Sequence, residues 1–204
     1  LEATQRPEKL KAVFDGEALT VSASLCVQFS LCAGMELDEE AFSALKAAVA
    51  KEAARERAVR ILTASAVSER ELEKRLVQKG TLPADAADAV AWLKEHRFLD
   101  DAATAAQLVD SAVRKGYGRA RVKNILYEKG IPKDLWDEAL ARIPAMDDAI
   151  ERFLAAKLRG RTADEKTIKK TIDALLRRGF SYGEIRDALR RYEADLEDLE
   201  LEET

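Results

Sequence analysis

Few residues of this 204-residue sequence are of a type that performs catalysis or holds a metal. There is a single histidine, His96, and there are two cysteines, Cys26 and Cys32, which is too few for a Cys/His zinc site or a disulfide framework. Adjacent carboxylates occur at 100–101 and 147–148, but neighbouring residues on a helix point in different directions, and acids commonly cap helix starts. We therefore predict a protein that is not an enzyme and uses no metal or cofactor. The cysteines are interpreted as small buried apolar residues.

The motif Gly-Tyr-Gly-Arg, from Gly116 to Arg119, resembles a phosphate-binding loop. Such a loop follows a strand and opens a helix. Here the preceding residues have a helical pattern, so we predict a turn between two helices in which glycine supplies an unusual backbone conformation. An anion at the start of the following helix remains an alternative.

Charge is the remaining chemistry, and it is unevenly distributed. The net charge of −4 combines two basic stretches, at 114–133 and 152–178, with an acidic end at 193–203. Basic clusters at matching positions can bind phosphates or an acidic protein surface, although a solvated face is the simpler interpretation of either cluster alone. The first basic cluster is Arg114, Lys115, Tyr117, Arg119, Arg121 and Lys123. The second basic cluster is Lys157, Arg159, Arg161, Lys166, Lys169 and Lys170.

The elements that must position these side chains begin with a β-hairpin. Residues 9–14 alternate polar and apolar side chains, Asp15-Gly16 follows, and a second such run covers 17–21. Asp-Gly between two such runs is a strong hairpin signal, because the turn needs positive φ at both central residues. Residues 22–31 fit either a short helix or a strand.

Beyond residue 38 the pattern is helical, with recognisable helix starts. Asp38 is placed to cap a long helix. Trp92 and Trp136 are interpreted as packing residues rather than ligand platforms. Capping boxes, in which two side chains satisfy free amides of a first turn, are predicted for Ser68 with Glu71, Thr162 with Glu165 and Ser181 with Glu184.

The helix stops form a repeat. Gly80, Gly130 and Gly179 each follow a basic residue, have a leucine four positions before them, and recur about 50 residues apart. The apolar residues expected after them are Leu82, Ile131 and Phe180. The fold predicted is mainly α, with three tandem three-helix repeats in an elongated curved array and a small N-terminal β-hairpin. The predicted boundaries are 1–37 for the hairpin and linking element, 38–97, 98–143 and 144–192 for the repeats, and 193–204 for an acidic tail.

In combination, these motifs resemble the RecX family of bacterial recombination regulators. The motifs are SERELEKRLVQKG (68–80), RFLDDA (97–102), RKGYGRARVKNILYEKGI (114–131) and RRGFSYGEIRDAL (177–189). Thr104 and Leu108 stand where the family commonly has aromatic residues, so the second repeat is expected to pack more loosely.

The resemblance implies a regulator that binds RecA recombinase filaments and inhibits RecA ATPase, filament extension and strand exchange. It implies modest DNA affinity, a monomer, no membrane, no small-molecule substrate, and a bacterial cytoplasmic location at the nucleoid when bound to RecA and DNA. Two alternatives stay open: a module that binds DNA directly, and a helical-repeat adaptor for another protein. The sparse aromatic residues around the basic clusters argue against a dedicated single-strand binder.

Overall fold

The computed structural model describes residues 1–3, 8–158 and 164–202, with side chains for residues 1–2, 8–158 and 164–193. Three strands are β1 (Glu2–Ala3), β2 (Lys9–Phe14) and β3 (Glu17–Ser22). The helices are α1 (Ala23–Gln28), α2 (Glu39–Ala64), α3 (Glu69–Gln78), α4 (Pro83–Glu95), α5 (Asp101–Arg114), α6 (Arg119–Glu128), α7 (Trp136–Ala141, preceded by a 3₁₀ turn at Lys133–Leu135), α8 (Asp147–Leu158), α9 (Glu165–Arg177) and α10 (Tyr182–Glu202).

The chain forms two compact units. Unit 1 comprises Leu1–Ser65 and Leu72–Leu99, and unit 2 comprises Ala66–Glu71 and Asp100–Thr204. The three helical triplets are α2–α4, α5–α7 and α8–α10, which confirms the predicted mainly α fold with three three-helix repeats. The first turn of α3 packs with unit 2 rather than with the rest of its own repeat.

Unit 1 begins with the predicted hairpin. Asp15 and Gly16 have φ of 44° and 89°, the positive values that the turn between β2 and β3 requires. Strand β1 was not predicted; it pairs antiparallel with β2, with Glu2 opposite Lys11. The ambiguous segment after β3 is helical, because the Ser22 hydroxyl accepts a hydrogen bond from the Leu25 N–H and starts α1.

The hairpin, α1 and the first half of α2 share one apolar core. This core contains Ala12, Val21, Leu25 and Leu45, all buried. Asp38 caps α2 as predicted, through a 2.7 Å hydrogen bond from the Ala41 N–H to its carboxylate. The cysteines are a correction: Cys26 is half-buried and Cys32 is exposed, so they are not a buried pair.

The glycine stops form as predicted. Gly80, Gly130 and Gly179 have φ between 71° and 90°, which only glycine adopts cheaply, and each closes a turn after α3, α6 or α9. The residue after each glycine donates its N–H to the carbonyl of the leucine, for example Ile131 to Leu126 at 3.0 Å.

One residue predicted to follow a glycine stop was placed in the wrong register. Leu82 is 67% exposed, and Thr81 holds the buried place that Ile131 and Phe180 hold in the other repeats. Leu82 instead precedes Pro83, the first residue of α4, because proline fits the first helical turn and fixes where that helix begins.

Repeats 2 and 3 each have their own apolar core in unit 2. The repeat 2 core includes Val109, Val122, Leu126 and Leu140, and Trp136 packs against it as predicted. Thr104 is buried beside it, in the place expected for an aromatic residue. The repeat 3 core contains Ile150, Leu154, Leu158, Leu175, Phe180, Ile185 and Ala188.

The capping predictions had mixed outcomes. Ser181 and Glu184 form the reciprocal box, with each side chain accepting the backbone N–H of the other residue. Thr162 lies outside the described residues, and the cap of α9 is Asp164, whose carboxylate accepts the Thr167 N–H at 3.2 Å.

A candidate partner-binding surface on repeats 2 and 3

The start of α6 is bonded to the end of α9. The Gly118 N–H donates to the Arg178 carbonyl at 2.8 Å, and the Ala120 N–H donates to the Gly179 carbonyl at 3.1 Å. The first amides of a helix have no partner within it, and the last carbonyls of another helix are equally free, so each end satisfies the other. The two helix dipoles also meet with opposite ends together. We call this contact the repeat 2–3 joint.

The repeat 2–3 joint requires glycine on both sides. A Cβ on Gly118 would lie 2.5 Å from both the carbonyl carbon and oxygen of Gly179. A Cβ on Gly179 would lie 2.6 Å from the Arg121 Cβ. Gly118 itself has an ordinary φ of −77°, so its glycine is needed for close approach rather than for backbone conformation. The predicted turn at Gly116 is confirmed, since Gly116 has a φ of 69° and ends α5.

Arg178 connects the two basic clusters, although the sequence did not single it out. Its guanidinium donates to the Lys115 carbonyl at 3.1 Å and lies 4.8 Å from the centre of the Phe153 ring. The Lys157 ammonium lies 5.9 Å from the same ring. Arg178 and Phe153 therefore connect Lys157 of the second basic cluster to Lys115 of the first.

The other described members of the first basic cluster surround the joint. Arg114 and Lys123 are exposed, and Arg119 is exposed while donating to the Leu140 carbonyl at 3.3 Å. Arg121 is half-buried and pairs with Glu128 at 3.3 Å. Tyr117 is half-buried against the core of repeat 2, so it is less available than predicted.

The second basic cluster is only partly brought to the joint. Arg159 and Arg161 lie outside the described residues. Lys166, Lys169 and Lys170 are exposed on the first turns of α9, about 12–18 Å along the helix from Arg178 at 1.5 Å per residue. The basic joint, as we use the term, consists of Lys115, Arg119, Arg121, Lys123, Lys157 and Arg178.

One lysine of α9 interacts with a nearby acid. The pKa of Asp164 is lowered, mainly by the hydrogen bond from the Thr167 side chain and further by the charge of Lys170. Asp164 therefore offsets part of the charge of Lys170 at the start of α9.

Within unit 2, the first turn of α3 bonds to α5 and to the end of α6 through different chemistry. The buried Ser68 hydroxyl accepts the Glu71 N–H at 3.1 Å and donates to the Lys129 carbonyl. The Glu69 N–H donates to the buried Asp101 carboxylate at 2.8 Å. Asp101 was interpreted as a first-turn acid, and it also receives this contact from α3. Asp100 caps α5 as predicted, accepting the Ala102 and Ala103 amides.

Two residues that the sequence analysis considered for catalysis or metal binding, His96 and Asp147, form contacts of other kinds. The His96 Nδ1 is 2.8 Å from the Trp92 carbonyl, and Asp147 pairs with Arg191 at 2.6 Å. Within the part of the chain that the structure describes, no three metal-ligating side chains cluster together. No helix among the described residues is both long enough and apolar enough to cross a membrane.

Three family models match this chain, one for each repeat. They describe the first, second and third three-helix domains of RecX, and they match residues 54–93, 100–140 and 147–189. These ranges cover most of the three triplets seen in the structure.

Curated relatives carry the same family name. A protein of Cronobacter sakazakii, "Regulatory protein RecX", is 34% identical over 153 residues, covering 68% of this chain and 91% of that protein. A protein of the same name from Escherichia coli O1:K1 is 32% identical over 151 residues, covering 67% of this chain and 90% of that protein. The fold and these relatives define a regulatory helical-repeat protein, and the chain belongs to the RecX family.

Solved structures share the fold. A crystal structure of regulatory protein RecX superposes with a TM-score of 0.70 at 24% identity, covering 91% of this chain and 96% of that one. RecX from Lactobacillus salivarius superposes with a TM-score of 0.64 at 17% identity, covering 72% of this chain and 99% of that one.

Proposed function

We propose that this protein binds RecA filaments on DNA through its basic joint and thereby inhibits RecA ATPase, filament extension and strand exchange. It acts as a monomer in the bacterial cytoplasm, at the nucleoid when RecA and DNA are bound, and it performs no catalysis. The supporting observation is the basic joint itself, where backbone hydrogen bonds hold the ends of two helices together and the Arg178 guanidinium donates to the Lys115 carbonyl, so that basic residues of two repeats come from one place on the fold. A cluster of like charges carried on a fixed backbone favours association with an acidic or phosphate-bearing partner.

The charges of the basic joint are largely available to a partner. Arg121 is the member that forms an ion pair among the described residues, and that pair is exposed to solvent. An exposed ion pair contributes roughly 0–1 kcal/mol, so a stronger partner can displace Glu128. Lys115, Arg119, Lys123 and Lys157 are exposed.

The test is a titration of RecA ATPase on single-stranded DNA. The wild-type chain is expected to inhibit at or below an equimolar ratio to RecA. Arg119→Glu with Lys123→Glu changes two exposed side chains and should require about tenfold more protein for the same inhibition, because reversed charges oppose association. The matched control is Lys74→Glu with Lys79→Glu, two exposed lysines in α3 and directly after it, with the same change in net charge.

Two results would contradict the proposal. Absence of any RecA inhibition by the wild-type chain would reject RecA as the partner. Equal loss of inhibition in both double variants would mean that net charge, rather than the basic joint, governs the effect.

A further inference from the structure

Unit 1 carries a cluster of aromatic rings that the proposed function does not use. The Trp92 ring centre lies 4.7 Å from that of His96 and 6.5 Å from that of Phe98. Phe98 is 62% exposed, whereas the next residue, Leu99, is 3% exposed. Full burial of a phenylalanine side chain would gain about 1.5–3 kcal/mol. The fold therefore anchors Leu99 in the core and leaves an aromatic ring in water beside two others.

The backbone that presents these rings is fixed. The α4 helix ends in a turn where Arg97 has a φ of 58°, a left-handed conformation that costs roughly 1–2 kcal/mol for a residue with a side chain. The Phe98 N–H returns to the Leu93 carbonyl at 2.9 Å and closes the turn. The His96 Nδ1 lies 2.8 Å from the Trp92 carbonyl, which holds the imidazole beside the indole.

Trp92 also lines a cleft of about 720 Å³ in unit 1, together with residues of α1 and α2. The Arg55 guanidinium lies 5.2 Å from the centre of the Trp92 ring. The Arg55 Nε is buried and has no hydrogen-bond partner among the described residues. Polar side chains also line the cleft, including Ser24, Gln28 and Glu52.

This combination fits an unpaired nucleotide better than other ligands. A base stacks on an aromatic face, and its edge carries the donors and acceptors that Gln28 and Glu52 can pair with. Three cations and two acids line the cleft: Lys51, Arg55 and Arg60, with Glu52 and Glu56. Lys51 and Arg55 each pair with Asp88 at 2.9 Å, and a phosphate would compete for these partly exposed pairs. An apolar peptide would leave the polar side chains of the cleft unpaired, which costs about 1–3 kcal/mol per buried group. Duplex DNA keeps its bases stacked inside the helix, out of reach.

We propose that Trp92, His96 and Phe98 form a stacking platform for single-stranded DNA, with one unpaired nucleotide entering the cleft beside Arg55. The platform supplies the base stacking that the sequence lacks around the two basic clusters. It requires no RecA, so it succeeds or fails independently of the proposed function.

The first test uses the full chain with Trp136→Phe, which leaves Trp92 as the only indole. Titration with a 15-nucleotide oligothymidine should quench the Trp92 fluorescence, and a duplex of equal length should not. A second variant, Trp92→Phe, keeps Trp136 and therefore the core of repeat 2. Its fluorescence should not be quenched by the oligothymidine, because the proposed stacking residue has been removed. Equal quenching by duplex and single strand would overturn the proposal.

The second test compares two exposed apolar residues at opposite ends of α4. Phe98→Ala should weaken oligothymidine binding about 5- to 100-fold, the range expected for loss of one stacked base. Leu82→Ala, with a side chain 67% exposed, is the matched control and should leave binding unchanged. The platform would be refuted if both variants bound the oligonucleotide like wild type. It would also be refuted if Phe98→Ala weakened only association with RecA filaments, which would indicate a protein contact.

Discussion

Substituting Gly118 with alanine should open the repeat 2–3 joint. The added Cβ would lie 2.5 Å from the Gly179 carbonyl carbon and oxygen and 2.7 Å from the Phe180 nitrogen. All three are backbone atoms, so no side chain can rotate away to relieve the clash. The start of α6 must separate from the end of α9, and the Gly118 and Ala120 amides lose their acceptors.

The expected cost follows from three effects. Two backbone hydrogen bonds contribute about 1 kcal/mol each. Overpacking of a close contact costs about 1–3 kcal/mol. Because the φ of Gly118 is −77°, the backbone conformation there suits alanine. Alanine also lowers the conformational entropy of the unfolded chain, which offsets about 0.4–1 kcal/mol of this loss of stability. We expect Gly118→Ala to lower the free energy of unfolding of unit 2 by about 2–4 kcal/mol.

The control for the joint substitution is Gly183→Ala in α10. A Cβ there would meet only the Ser181 hydroxyl at 4.0 Å, and alanine favours a helix over glycine. This variant should be neutral or more stable by up to about 1 kcal/mol. The assay is urea unfolding in a Trp92→Phe background, in which Trp136 reports on repeat 2. Equal midpoints for the two variants would refute the argument that Gly118 is required for close approach.

A second pair of substitutions separates the contact from the backbone conformation. Gly80 and Gly179 both have positive φ, but a Cβ on Gly80 would meet nothing within 4 Å. Gly80→Ala should therefore cost only the roughly 1–2 kcal/mol of a left-handed alanine. Gly179→Ala should cost more, because it adds the clash with Arg121. Gly179→Ala should also weaken association with RecA filaments, since it displaces the basic joint without removing a charge.

Three further predictions concern single side chains. Arg178→Lys keeps the charge but loses the planar donor group, and it should lower the stability of unit 2 by about 1 kcal/mol in urea unfolding; an unchanged midpoint would contradict its bridging role. Ser68→Ala removes a buried cap and should lower the free energy of unfolding by about 1–2 kcal/mol in the same assay. An unchanged unfolding midpoint would show that the Ser68 hydroxyl does not stabilise this contact. Asp88 has a lowered pKa, through hydrogen bonds from Lys51 and Arg55, so its stabilisation is present above the ordinary carboxyl pKa of 3.8 and is lost as the pH falls through the lowered value. Asp88→Asn should thus cost about 0.5–1 kcal/mol at pH 7 and progressively less as the pH falls below 3.8, as measured by thermal unfolding across pH; a pH-independent difference would argue against the ion pairs.

Local features of this chain were predictable from sequence because the interacting groups lie within a few residues of each other. The Asp15-Gly16 turn, the Ser181–Glu184 capping box and the glycine stops each depend on contacts across two to five residues. The helix repeat followed from those stops, because a regular spacing of identical turns implies a regular series of identical units.

The candidate surface was only partly predictable. Its basic residues were visible as charge clusters, but their arrangement depends on Arg178, which contacts Lys115 although it lies 63 residues away in the chain. A local pattern holds no information about which distant backbone an arginine will meet. The same limit explains Leu82, whose register was set by Pro83, and Asp101, whose partner is the amide of Glu69.

Sequence alone thus determined the helix stops and the three helical repeats, since these depend on short-range hydrogen bonding and on the periodicity of apolar residues, but it left the helix α1 open. The tertiary structure decided how repeats 2 and 3 meet. The φ of Gly118, −77°, is one that any residue adopts. Only the position of the Gly179 backbone, which would lie 2.5 Å from an added Cβ, shows why a side chain cannot stand there. The aromatic platform has the same origin, because the cleft beside Trp92 exists only once α1 and α2 have packed around it.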